Sequence, residues 1–116
     1  MREFCRQIIT YLETSRAYKN PDLSLWHIST ATGIPVATIS QSINRYLKQN
    51  FFDLINRMRL EEAKQMLCSE EGNSLTIESV ANCCGFRSRS TFYLVFNKFV
   101  GTSPLKWLRS DSNTNN

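Results

Sequence analysis

Histidine is almost missing from this chain: His27 is the only one in 116 residues. Its four cysteines, Cys5, Cys68, Cys83 and Cys84, show no C-x₂₋₄-C spacing. The pattern of a structural zinc site is therefore absent, and no metal is expected. There is also no Gly-rich phosphate loop and no pair of carboxylates framed by apolar residues. Glu61–Glu62 reads as a solvated helix face and Glu70–Glu71 as a loop. These gaps argue against an enzyme and against a cofactor. No apolar run approaches the ~18 residues that span a bilayer, and charge interrupts "MREFCRQIITYLE" too often for a secretory signal. A membrane partner is thus not expected. Reduced cysteines in a cytoplasmic compartment are, with buried thiols as small apolar groups. Cys84 should be one of these, and the adjacent Cys83–Cys84 pair leaves a redox switch open.

The residues present are those of an ordinary globular chain, 41% apolar and 21% charged, which excludes wholesale disorder. The net charge of +4 is unevenly spread. From Phe86 to Arg109 there are five bases (Arg87, Arg89, Lys98, Lys106, Arg109) and no acid, whereas 51–78 mixes both signs and is net negative. A one-sided basic stretch is the footprint of an anion-binding surface, most often for nucleic acid. On charge alone, a solvated basic face is the plain alternative.

Strand-like alternation is missing and helical periodicity dominates, so the fold class read here is all-α. Phe4, Ile8, Tyr11 and Leu12 give a first amphipathic helix ending before "YKNPD". Ser24 is placed to cap "LWHISTAT", and Gly33 to close it. Pro35 permits a new start, and Ile39, Ile43, Tyr46 and Leu47 supply the next apolar stripe. A longer helix follows over 51–68, broken by "SEEGNS". Thr76 caps a further short helix ended by Gly85, and Ser88 caps the helix over 88–99. "GTSP" then leads to a last turn with Trp107 and Leu108, and the polar tail 110–116 should be disordered.

This layout repeats itself. At an offset of 52, Ser24 falls on Thr76, Leu25 on Ile77, Ile28 on Val80, Gly33 on Gly85 and Ile34 on Phe86. One residue inserted in the second turn makes the offset 53, matching Ile39 to Phe92, Ile43 to Phe96, Asn44 to Asn97 and Arg45 to Lys98. Each copy is a short helix, a Gly turn and a second helix, the helix-turn-helix outline. A single copy is weak evidence, because any two packed helices imitate it; two in register are much stronger.

On a helical wheel, Phe92, Val95, Phe96 and Phe99 point inward in the second copy, as do Ile39, Ile43 and Tyr46 in the first. The outward sets are Arg89, Ser90, Tyr93, Leu94 and Asn97, and Ala37, Ser40, Gln41 and Asn44. These suit base reading: amides pair with adenine, Arg with guanine, and small or apolar groups such as Ala37 and Leu94 with a thymine methyl. Arg45 and Lys98 on the flanks suit phosphates, as do Arg87 and Ser88 at the second helix's N-terminus.

"LSLWHISTATGIPVATISQSINRYLKQNFFDLINRMRLEEAKQML" and "LTIESVANCCGFRSRSTFYLVFNKFVGTSPLKWL" resemble the DNA-binding domain of AraC/XylS transcription regulators. The most specific part is "GFRSRSTFYLVFNKFVGTSP", close to the family's G-F-x-S-x-S-x-F-x-x-x-F-K-K-x-x-G-x-S-P. The resemblance implies two homeodomain-like helix-turn-helix units in successive major grooves, joined by a rigid helix. Residues 1–109 then form the domain: a first unit over 1–50, a connecting helix over 51–68 and a second unit over 69–109. Helices 36–47 and 88–99 become the readers. A connector of roughly 17 residues spans about 25 Å, compatible with readers one DNA turn apart. Some positions depart from the pattern. Ser29 stands where Ala is usual, Asn97 replaces the first Lys of "FKK", Asn44 occupies the matching place, and "WLR" replaces a Tyr-Arg.

The partner implied is double-stranded DNA, with RNA polymerase as a candidate second partner, in a bacterial cytoplasm at the nucleoid; either the module acts alone or a sensor or effector domain precedes it in a longer chain. The reading from another class is a helical adapter docking on polymerase or another regulator. Trp26 and Trp107 are expected to pack in the two cores, and an exposed Trp26 would instead serve a partner protein.

Overall fold

Every third or fourth residue of the first segment is apolar, and it folds as α1 (Arg2–Ser15), burying Cys5, Ile8 and Leu12. The computed structural model describes residues 2–69 and 74–114. After α1 come a 3₁₀ turn at Ala17–Lys19, α2 (Leu25–Thr32), α3 (Val36–Leu47), α4 (Phe51–Cys68), α5 (Ile77–Cys83), α6 (Arg89–Val100) and α7 (Pro104–Thr114). The described residues contain no strand. The fold is all-α, with two helix-turn-helix motifs, α2–α3 and α5–α6. Most of "SEEGNS", including Glu70–Glu71, lies outside the described residues.

Side-chain caps start the short helices. Thr76 Oγ1 accepts from the Ser79 N–H at 3.0 Å while Ser79 Oγ accepts from the Thr76 N–H at 3.1 Å, a reciprocal capping box. At α2 a histidine fills the return position usually held by Glu or Gln. The Ser24 N–H donates to His27 Nδ1 at 3.1 Å, and Ser24 Oγ lies 2.8 Å from the same nitrogen. Ser88 Oγ accepts from the Thr91 N–H at 3.1 Å to open α6.

The two Gly turns close differently. In the first, the Gly33 N–H donates to the Ser29 carbonyl at 2.8 Å, a single bond with Gly33 at φ 78°. In the second, Gly85 donates to Asn82 at 3.3 Å and Phe86 to Ala81 at 3.0 Å, the paired bonds of a Schellman motif. Beyond the glycine, α3 opens after Ile34 and Pro35, and α6 opens after Phe86, Arg87 and Ser88. This is the inserted residue that changes the repeat offset.

Contacts divide the chain into two units, Met1–Asn56 and Arg57–Asn116, with the boundary inside α4. In the first unit α1 packs on α3 and α2, around Ile8, Leu12, Ile28, Ile39 and Ile43, each fully buried. Tyr46, expected to point inward, is 40% exposed, and Ser42 is completely buried instead. Cys5 Sγ donates to the Ser42 carbonyl at 3.1 Å, so the two helices meet closely at a small residue and the inward face turns through 39, 42 and 43. Trp26 also departs from expectation. It is 65% exposed, because Ile28 is the residue that α2 turns into the core.

In the second unit Phe86, Phe92, Phe96 and Trp107 form a chain of ring contacts at 5.1, 5.7 and 5.7 Å. Around it lie Leu60, Ala63 and Leu67 of α4 and Val80, Ala81 and Cys84. Trp107 thus packs as expected, and Cys84 is a core residue. α7 continues to Thr114, past the single turn expected, and residues 115–116 of the tail expected to be disordered over 110–116 lie outside the described residues. Its start is well set, with Pro104 at the first helical position and Ser103 Oγ accepting from the Lys106 N–H at 3.3 Å. Each further residue then adds one backbone bond without needing an apolar side chain.

Candidate nucleic-acid interface

The outward face of α3 carries Ala37, Gln41, Asn44 and Arg45, all exposed, with Ser40 half-buried beside them. Neither α3 nor α6 contains an acidic residue. Asn44 folds back on its own helix, its Nδ2 donating to the Ser40 carbonyl at 3.0 Å. Asn97 of α6 does the same toward Tyr93, also at 3.0 Å. Each amide retains its oxygen and a second N–H for another partner.

On α6, Arg89, Ser90, Leu94, Asn97 and Lys98 are exposed, Leu94 to 72%, and Tyr93 is half-buried. The helix begins at Arg89 with Ser88 as its cap, one residue later than the range expected from the sequence. The Arg89 guanidinium lies 5.3 Å over the Tyr93 ring, and the Lys98 ammonium lies 5.1 Å over Phe99. Ser88 Oγ is engaged as the cap acceptor and lies 3.0 Å from Thr91 Oγ1. Thr91, an exposed hydroxyl on the first turn, was overlooked in the sequence. The spacing Ser88-x-x-Thr91 was the available signal.

Arg87, in the turn before α6, bears on Arg59 of α4. Burial first, and the like charge of Arg87 second, hold the Arg59 guanidinium below its usual range.

The sequence did not reveal a second surface feature. Leu23, Ser24, Leu25, Trp26, Ser40, Asn44, Asn50, Phe51 and Phe52 line an open groove of about 480 Å³, with Phe52 72% exposed. Its signal was present only as aromatics at the starts of α2 and α4. Cys68 and Cys83 are exposed, Cys5 and Cys84 buried, and none of the four is in a disulfide. Among the described residues no group of metal-ligand side chains converges, and no helix is long and apolar enough to cross a membrane.

Comparison with known proteins agrees with this arrangement. The family model described as "Helix-turn-helix domain" matches residues 28–110. The raffinose operon transcriptional regulatory protein RafR of Pediococcus pentosaceus is 39% identical over 57 residues, covering 49% of this chain and 20% of that one. The xylose operon regulatory protein of Escherichia coli K12 is 27% identical over 77 residues, covering 66% and 19%. The chain therefore spans about a fifth of the length of these relatives. Among solved structures, the C-terminal domain of AraT, a response regulator from Geobacillus stearothermophilus, superposes with a TM-score of 0.80 at 25% identity, covering 92% of this chain and 84% of that one. The DNA-binding domain of AdpA, solved with a target DNA, shares the fold at a TM-score of 0.73 and 17% identity, covering 92% and 90%. With two helix-turn-helix motifs in repeat and this family match, the chain belongs to the AraC/XylS family of DNA-binding transcription regulators.

Proposed function

We propose that α3 and α6 are the base-reading helices of a sequence-specific regulator and enter successive major grooves of one double-stranded DNA. One observation carries this reading: at repeat-equivalent positions the two helices turn outward acid-free faces that pair an amide with a flanking cation, Asn44 with Arg45 and Asn97 with Lys98. Ala37, Ser40, Gln41 and Asn44 read one element. Arg89, Ser90, Tyr93, Leu94 and Asn97 read the other. Arg45, Arg87, Ser88 and Lys98 position the helices on phosphates, contacts that carry no sequence information. An N-terminal sensor domain and RNA polymerase are the protein partners this reading carries, at a bacterial nucleoid.

The test is a binding selection of the purified chain against random duplexes of about 25 bp at moderate salt. The expected product is a motif of two elements about one helical turn apart. A motif of one element would reject the paired-reader mechanism. No enrichment from folded protein would reject sequence-specific binding by this chain.

A further inference from the structure

The outward face of α6 has a preset side chain that α3 lacks. Arg89 and Tyr93 are four residues apart, hence one above the other on adjacent turns. The guanidinium carbon of Arg89 lies 5.3 Å from the centre of the Tyr93 ring, and Nη2 is 3.4 Å from the Tyr93 hydroxyl, the outer limit for a hydrogen bond. The ring contact is therefore the stronger of the two. Tyr93 is itself held: it is half-buried, its ring stands 6.2 Å from that of Phe92, and Phe92 is fully buried. A rigid core ring thus steadies a surface ring, which in turn carries the guanidinium.

A guanidinium carries five in-plane N–H donors, and the one turned toward the Tyr93 hydroxyl leaves the rest of that fork available. That fork is the group that pairs with O6 and N7 of guanine. A free Arg side chain must surrender considerable rotamer freedom when it binds, and one already laid over a ring surrenders less. The repeat supplies an internal contrast. Val36 and Ser40 occupy the equivalent positions of α3, where neither a fork nor a ring exists.

We infer that Tyr93 is a positioning residue that presets Arg89 for guanine, making the α6 element the guanine-dependent half of the binding site. This rests on the proposed role of α6 as a reader. The experiment repeats the selection with Arg89→Ala to locate the base pair whose guanine preference disappears. Guanine-over-adenine discrimination at that pair is then measured for the full chain, Tyr93→Leu and Tyr93→Phe, alongside affinity for an unrelated duplex.

Tyr93→Leu is expected to lower discrimination at that pair by about two- to fivefold, the range of an exposed cation–π contact. Discrimination at the base pairs of the other element, read by α3, should stay unchanged. Tyr93→Phe, which keeps the ring, should retain most of the discrimination. Unchanged discrimination in Tyr93→Leu, or equal weakening on every duplex, overturns the positioning role while Arg89 still reads guanine. A loss in Tyr93→Phe as large as in Tyr93→Leu overturns the ring contact as its cause. If Arg89→Ala erases no base preference, the reading of Arg89 itself falls, and this inference with it.

Discussion

Two single residues make separate, measurable contributions. Arg89 stands at the start of α6 with its guanidinium over Tyr93, and its truncation should cost about 1–3 kcal/mol at one base pair and relax preference there. Binding curves on single-base variants of the selected site check this. Uniform weakening on all of them would make Arg89 a phosphate contact. Lys48, by contrast, closes α3 in the left-handed region at φ 56°, a conformation in which Cβ crowds the following carbonyl. Its repeat partner is Gly101, at φ 88°. Lys48→Gly should therefore stabilise the chain, by roughly 0.5–1 kcal/mol once the greater freedom of unfolded Gly is subtracted. Urea denaturation of the pair of proteins measures it, and a destabilised variant would show that Lys48 makes compensating contacts.

At the scale of elements, helix ends matter more than helix middles. α5 has seven residues, too few to stand on backbone bonds alone. Thr76 supplies its cap, and Ser88 supplies that of α6. Thr76→Ala and Ser88→Ala should each lower stability by about 1 kcal/mol. Their effects on binding should differ, because Ser88 lies at the proposed phosphate end of α6 and Thr76 on a helix assigned no base contact. Equal loss of DNA affinity in the two variants, beyond what unfolding explains, would contradict that division. The elements were well announced by the sequence. Ser24, Gly33, Thr76, Gly85 and Ser88 are local signals, each acting within about five residues of itself. The extension of α7 past Ser110 was not announced, because polar residues mark no boundary once a helix has been started well.

For the molecule as a whole, charge and burial set two measurable properties. Three cations, Arg45, Arg87 and Lys98, are assigned to phosphates. The logarithm of the binding constant should then fall with that of salt concentration with a slope of roughly −2.7 or steeper, at −0.9 per phosphate neutralised. A flat dependence would favour the helical adapter over the DNA reader. The thiols should divide into two classes. Cys68 and Cys83 are exposed and should react quickly with an alkylating reagent. Cys5 and Cys84 should react only on unfolding, and burial pushes the Cys5 thiol up, leaving less of the reactive thiolate. Four equally fast thiols in native buffer would contradict this packing.

By itself the sequence determined the helices, their caps, the internal repeat and the general direction of α3 and α6, since all of these follow from short-range chemistry and a 3.6-residue period. Leu94 could be placed outward because it stands opposite Phe92 and Phe96 on the wheel. What the sequence could not decide depended on which helix lies against which. Ser42 is buried and Tyr46 exposed because α1 approaches α3 at a small residue beside Cys5. Trp26 is exposed because Ile28 took the core position. Apolarity ranks the residues fit for burial, but only packing decides which of them the neighbouring element reaches. The contact of Arg89 with Tyr93 lies between these cases: helical spacing allowed it, and the anchoring of Tyr93 on the buried Phe92 gave it a defined position.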